Sequence, residues 1–329
     1  MSRLLPTKKL ASIDAADPRN FVPLEDRQIV ELRQRGTPGR LPYDKNAPVP
    51  EEYHRKLLRL DAAINRVRIT YEPYDYWEDC HCGERTLRPV HFAVFTDDWD
   101  HHGRIYTRGL GYQSLRPIER ETIKFDRQPS VELDFASLHP RMLYHLKGIA
   151  YRTDPYALWG PSWGGRAELR GPLRQLAKNV VNALINATGR RAAISTCNLE
   201  LRITTADGKR KTGKSKRTAL TLHQAIKETD LRFSDICDIA LRRHAAIADQ
   251  FGSDAGLRLM NLDGKIALDI LSEFTDRGIP CLGCHDSFIV PAGHERLLRQ
   301  TMKTAYQRRM NFLPVIGPAR GAGTAGGGH

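Results

Sequence analysis

The sequence predicts an α+β fold, and three observations predict it. Short runs of alternating apolar and polar residues fill 92–134, two short apolar strands flank a sharp turn at 279–291, and stretches of helical period lie around them. The clearest strand is Val131-Glu-Leu-Asp134, with Val131 and Leu133 facing one way and Glu132 and Asp134 the other. It turns through Pro140 into an apolar helical run, Met142–Leu146. Far downstream, Ile279-Pro-Cys-Leu-Gly-Cys-His-Asp-Ser-Phe-Ile-Val-Pro291 reads as a hairpin presenting Asp286 at its tip. Two carboxylates on rigid elements are what a hard divalent cation needs in order to bind and still accept phosphate oxygens.

In chain order, residues 1–50 carry prolines at 6, 18, 23, 38, 42, 48 and 50 and read as an extended arm, with a short helix around Asp26–Arg35. Glu51–Asn65 is amphipathic with acid at its start, a packing helix in the first instance. Tyr71–Trp77 is aromatic-rich, and burial is a better use for it than base stacking. Cys80-His-Cys82 reads as a turn, because structural zinc sites space their cysteines by two to four residues. Within 92–134 the strands are Phe92–Phe95, Gly103–Tyr106, Ile123–Phe125 and Val131–Asp134.

Gly171–Pro172 opens a helix running to about Gly189. Steps of four place Arg174, Lys178, Asn182 and Asn186 on one stripe. Leu199–Thr205 alternates like a half-exposed antiparallel strand. Gly208–Ser215 matches a phosphate-loop pattern, but a buried parallel strand does not precede it. Lys209, Arg210, Lys211 and Lys214 therefore read as a basic loop, 207–217, that tracks a nucleic-acid backbone. Thr221–Lys227 and Ser234–Phe251 are helical, the latter with Arg242, Arg243 and His244 on its polar side. Gly256–Phe274 is a long amphipathic helix stopped by Gly278. Glu295–Asn311 is one more helix. The glycine-rich tail, 312–329, is expected to stay disordered. Cys281 and Cys284 pack as small apolar residues.

Composition narrows the class. The chain has 329 residues, 40% of them hydrophobic, and a formal net charge of +13; its pI is near 9.6. That balance favours an anionic partner, most simply nucleic acid. No run of about 18 apolar residues would span a membrane, and the N-terminus lacks a secretory h-region. Six irregularly spaced cysteines suit a reducing, cytoplasmic compartment, here nucleoid-associated.

The two acidic stretches resemble motifs A and C of family A DNA polymerases and of single-subunit phage-type RNA polymerases. Arg174-x3-Lys178-x3-Asn182-x3-Asn186 resembles motif B, and Gly103-Arg104 with Gln113 resembles the segment that grips the primer duplex. The ordered set covers roughly residues 95–310.

The resemblance implies a right-hand polymerase palm, an antiparallel sheet with packed helices, plus helical fingers and a reduced or absent thumb. It divides the chain into an N-terminal arm (1–50), a helical, thumb-like region (51–91), a first palm segment (92–150), fingers (151–255) and a second palm segment (256–311). It implies a compact DNA polymerase without proofreading, of phage or mobile-element type, monomeric and open to an accessory protein. Its partners would be primer-template DNA and dNTPs, or NTPs in an RNA-synthesising or primase relative. A catalytically silent nucleic-acid-binding palm is the reading from another class.

By the same resemblance Asp134, Asp286 and the Phe135 carbonyl hold two Mg²⁺ ions (or Mn²⁺). Arg174 and Lys178 face the triphosphate, and Lys178 is also a catalytic acid. Asn182 and Asn186 stand where the family has aromatic residues, and His139 where it gates the sugar. Arg104, Gln113, Arg116, Arg258, Asn261, Asp263 and His285 would contact the duplex. Ser287 replaces family A's second acid and matches the His-Asp-Ser of phage-type RNA polymerases; Glu132, two residues before Asp134, is placed to approach the same face as an auxiliary acid.

Overall fold

The computed structural model describes residues 28–75, 78–109, 111–160, 169–201 and 225–319. The first elements are β1 (Val30–Arg33), α1 (Pro48–Ile64), β2 (Ile69–Tyr71), β3 (Tyr74–Asp75), β4 (Cys80–His81) and β5 (Arg85–Leu87). Next come β6 (Val90–Thr96), β7 (Asp98–Arg108), α2 (Pro117–Arg120), β8 (Lys124–Phe125), β9 (Gln128–Phe135) and α3 (Leu138–Leu146). Then follow α4 (Arg170–Asn186), α5 (Arg190–Leu201), α6 (Phe233–Arg243), α7 (Gly256–Asp276), β10 (Leu282–Cys284), β11 (Ser287–Pro291), α8 (Glu295–Met310) and β12 (Ile316–Pro318).

The result is a mixed α/β molecule of mostly antiparallel sheets and packed helices. The largest sheet runs β10-β11-β9-β8-β2-β5, antiparallel at each step, and β12 pairs with β9. β9 is its hub. Leu133 and Phe135 are buried on one face, where Phe135 meets Phe288 and Tyr306, while Glu132 and Asp134 alternate outward. α8 packs against β9 and β11. A second sheet joins β1, β6 and β7, and α7 lies along β7. α1 buries Tyr53, Leu57, Leu60 and Ile64 against α7 and β6, so it packs into the body and does not stand off as a thumb. The rest of the thumb-like region is strands β2–β5 with no helix among its described residues. α4 packs with α5 and α6.

Glycine decides one contact. A methyl group at Gly264 on α7 would sit 2.3 Å from the carbonyl oxygen of Gly103 on β7. Helix and strand therefore touch backbone to backbone, which sets Asp263 beside Arg104.

Several expectations give way. The helix around Asp26–Arg35 is instead β1, whose Val30 pairs in parallel with Ala93; Ile29, Val30 and Leu32 are buried, and a strand supplies both faces they fill. Residues 199–201 end helix α5, because Ala193 and Cys197, one turn apart, are buried against α4 and α6. The Ser234–Phe251 helix stops at Arg243. His244 is buried, not on a polar side: it accepts from the Tyr144 hydroxyl and donates to the Pro155 carbonyl, both at 2.8 Å. The tail is ordered through 312–319, for β12 adds to β9 with Gly317 opposite Asp134; a short strand takes its order from an existing edge. Most of the N-terminal arm, Trp77, the loop 207–217 with Lys209, Arg210, Lys211 and Lys214, and the last residues of the tail lie outside the described residues.

Candidate active site

The floor of the site is the end of β9 and the tip of the β10–β11 hairpin. Cys284 pairs with Ser287, leaving His285-Asp286 as a two-residue turn. Such turns favour glycine first, yet His285 sits there at φ 59°. A left-handed L residue costs about 1–2 kcal/mol, so the surroundings must hold it. Its ring meets Tyr106 edge-on at 5.6 Å, and the Phe135 N–H donates to the Asp286 carbonyl at 3.0 Å. Tyr112 braces the hairpin from behind: Gly283 N–H donates to its hydroxyl at 3.1 Å, and the hydroxyl lies 2.9 Å from His91 Nε2.

Ladder register sets Ser287 opposite Asp134, so Asp134 and Asp286 are neighbours across the sheet. Both open into one cleft of about 650 Å³. The cleft is also lined by Arg174, Lys178, Asn182 and Asn186 from α4, His139 from α3, and Arg104, Gln113 and His285. The four-residue stripe of α4 thus lines the same cleft as the two acids.

The charges around the cleft are mostly committed. Glu132 accepts from Arg120 Nε at 3.0 Å and from Ser287 Oγ at 2.5 Å. Asp263 accepts from Arg104 at 2.5 Å and from His139 Nε2 at 2.7 Å. Burial alone would raise the Asp263 carboxyl, but His139 and Arg104 hold it below the ordinary range. Arg174 is bound to Asp154 at 2.5 Å and lies over the Tyr156 ring; burial pushes Tyr156 up to about 12. Lys178 is the lining cation that makes no ion pair with a described residue. His285 is lowered by burial and then by Arg104, which keeps its ring neutral; its buried Nδ1 has no hydrogen-bond partner among the described residues.

Some expected contacts are spent elsewhere. Both amide hydrogens of Gln113 go to backbone, at Ile105 (3.1 Å) and Gly283 (2.8 Å), so it brackets the hairpin and has none left for a duplex. Asn261 is buried and donates to the Trp99 carbonyl at 2.9 Å, out of reach of a groove. Asp263 is likewise buried as the partner of Arg104. Arg258 is exposed but does not line the cleft. The Phe135 side chain belongs to the core, leaving only its backbone near the acids. Sequence pattern alone does not single out Arg120, Asp154 or Tyr156. One signal for Asp263 was there: a carboxylate inside the apolar stripe Leu259, Ile266, Ile270.

No protein-family model matches the chain, and no curated protein matches it. Among solved structures it is similar to the POL domain of Pol1 from M. smegmatis in complex with DNA primer-template and dNTP. Identity is 12% over 82% of this chain and 51% of that one, with a TM-score of 0.40. The chain spans about half of that structure's length, and a likeness this low carries no argument. No helix among the described residues is long and apolar enough to cross a membrane.

Proposed function

We propose that this protein is a template-dependent nucleotidyltransferase, a compact DNA polymerase that extends a primer 3′-hydroxyl with deoxynucleotides. One observation carries the reading: Asp134 and Asp286, remote in sequence, line one cleft opposite Lys178. In this reading the large sheet is the palm and α4–α6 the fingers. The paired carboxylates are hard oxygen donors on two rigid strand ends, which suits Mg²⁺ and not a soft metal. Glu132 is already bound by Arg120 and Ser287, so Asp134 and Asp286 are the side chains that would hold the ions. Bound there, a divalent cation supplies Lewis-acid activation of a hydroxyl and neutralises phosphate charge.

The chain's own residues do the rest. Lys178, free of a described counter-ion, neutralises the triphosphate and hands a proton to the departing pyrophosphate. Arg174, fixed by Asp154, aims its remaining donors at phosphate oxygens. His139, held by Asp263, stands at the sugar and limits what fits at its 2′ position. Neutral His285 offers its ring to the primer end without adding charge between the acids. The net charge of +13 draws the nucleic-acid backbone in.

Labelled-nucleotide incorporation on a primed template tests this. Wild type incorporates dNTPs in preference to NTPs, and Asp134→Ala and Asp286→Ala each lose about a thousandfold or more of that activity. Incorporation that survives either substitution contradicts the proposal.

A further inference from the structure

We infer that the β3–β4 hairpin carries a second, separate metal site, for a thiophilic divalent cation such as Zn²⁺, held by Cys80, Cys82 and Glu78. Cysteine spacing alone argues against metal here, and the next histidine downstream of the pair is His91. That histidine is fully buried, bound to Asp61 at 2.6 Å and facing Tyr112, and it has no path to the thiols. The third ligand comes instead from upstream. Ligand atoms of Glu78, Cys80 and Cys82 all lie within 4.8 Å of one another, and this is the trio of metal-ligating side chains that gathers among the described residues.

The separations fit one ion. The sulfurs of Cys80 and Cys82 are 4.0 Å apart, and Cys80 Sγ is 3.8 Å from Glu78 Oε2. With Zn–S near 2.3 Å, tetrahedral geometry sets two sulfurs roughly 3.8 Å apart. Those two pairs need shifts of only a few tenths of an ångström to take one ion, and the third, Glu78 with Cys82, lies within 4.8 Å. Two thiolates with one carboxylate select zinc over magnesium, so the donors differ in kind from the acids of the cleft, and none of the three lines it. Both cysteines are exposed, which leaves the fourth position to water.

The hairpin has a use for such a clip. Its strands are two residues each, Tyr74 opposite His81 and Asp75 opposite Cys80, and pairs that short are marginal in water. Among the bonds that fasten it are Cys82 N–H to the Pro73 carbonyl at 2.8 Å, Tyr74 N–H to Glu119 at 3.2 Å, and Tyr74 to Asp79. An ion spanning 78, 80 and 82 joins the turn to the strand that follows it.

Titrating the reduced, chelator-treated full chain with Co²⁺ tests the site without reference to nucleotide incorporation. One equivalent should give visible bands of tetrahedral intensity and a near-ultraviolet thiolate-to-metal band, both erased by Zn²⁺. Cys80→Ser and Cys82→Ser should each remove the thiolate band with unchanged circular dichroism. Glu78→Gln should lower affinity, and Cys284→Ser should change nothing. The inference is overturned by a missing thiolate band, by a band that persists undiminished in Cys80→Ser, or by finding Cys80 and Cys82 joined as a disulfide in the chain as isolated.

Discussion

The two sides of the cleft are built on opposite terms. The floor, β9 with the β10–β11 hairpin, is held by long-range ladders on both edges, and the charges on and beside it are bound pairwise: Glu132 to Arg120 and Ser287, and, on neighbouring α7, Asp263 to Arg104 and His139. The wall is a single helix, α4, on which Lys178 has no described counter-ion. A carboxylate pair that must hold cations needs a fixed separation, and strand ladders give one. A cation that must meet a mobile polyphosphate works better uncommitted, since an ion pair would have to break first. The difference predicts that damage to the ion pairs bracing the floor appears as lost stability, and damage to Lys178 on the wall as lost turnover.

The largest effect should follow Asp263→Ala. Removing a buried carboxylate strands the Arg104 guanidinium, a loss of about 3–5 kcal/mol, read from the denaturant midpoint. A change under 1 kcal/mol would mean that the floor is not braced through Arg104. Lys178→Met sharpens the contrast from the other side. Stability should stay within about 0.5 kcal/mol, while turnover falls by roughly 10²–10³; a fall in stability with unchanged turnover would reverse the assignment.

A smaller effect is acid sensitivity of the buried histidines beside the cleft, His102 on β7 and His285 on the hairpin. Burial, then Arg104, lowers His102 to about 4, and the same two causes lower His285. A histidine with a depressed folded value stays neutral while the unfolded chain takes up protons. Its contribution is complete above about 6.5 and is lost as pH falls toward the folded value. The melting temperature should thus drop by a few degrees between pH 7 and 5, on the order expected for 1–2 kcal/mol. A flat profile would place these rings in water.

How much of this was legible follows the same divide. β9, the hairpin and α4 announce themselves by local period, and so do the residues they present: Asp134, Asp286 and the stripe from Arg174 to Asn186. What the sequence could not disclose depends on partners distant along the chain. β1 is a strand only because β6 lies beside it, and β12 only because β9 has a free edge. The helix after Phe233 breaks where His244 finds Tyr144 and Pro155. Gln113 and Asn261 are groove contacts only by resemblance to the family; backbone carbonyls from other elements claim their amides here. Arg104 and Asp263 are single residues whose meaning lies in each other, and Gly264 is the reason they meet.

The central claim, that Asp134 and Asp286 share divalent cations, is tested most directly by counting bound Mn²⁺ by electron paramagnetic resonance. The counts compare wild type with Asp134→Ala, Asp286→Ala and the double variant. Shared ions predict that each single substitution abolishes nearly as much tight binding as both together. Losses that simply add, or binding untouched by either change, would contradict it.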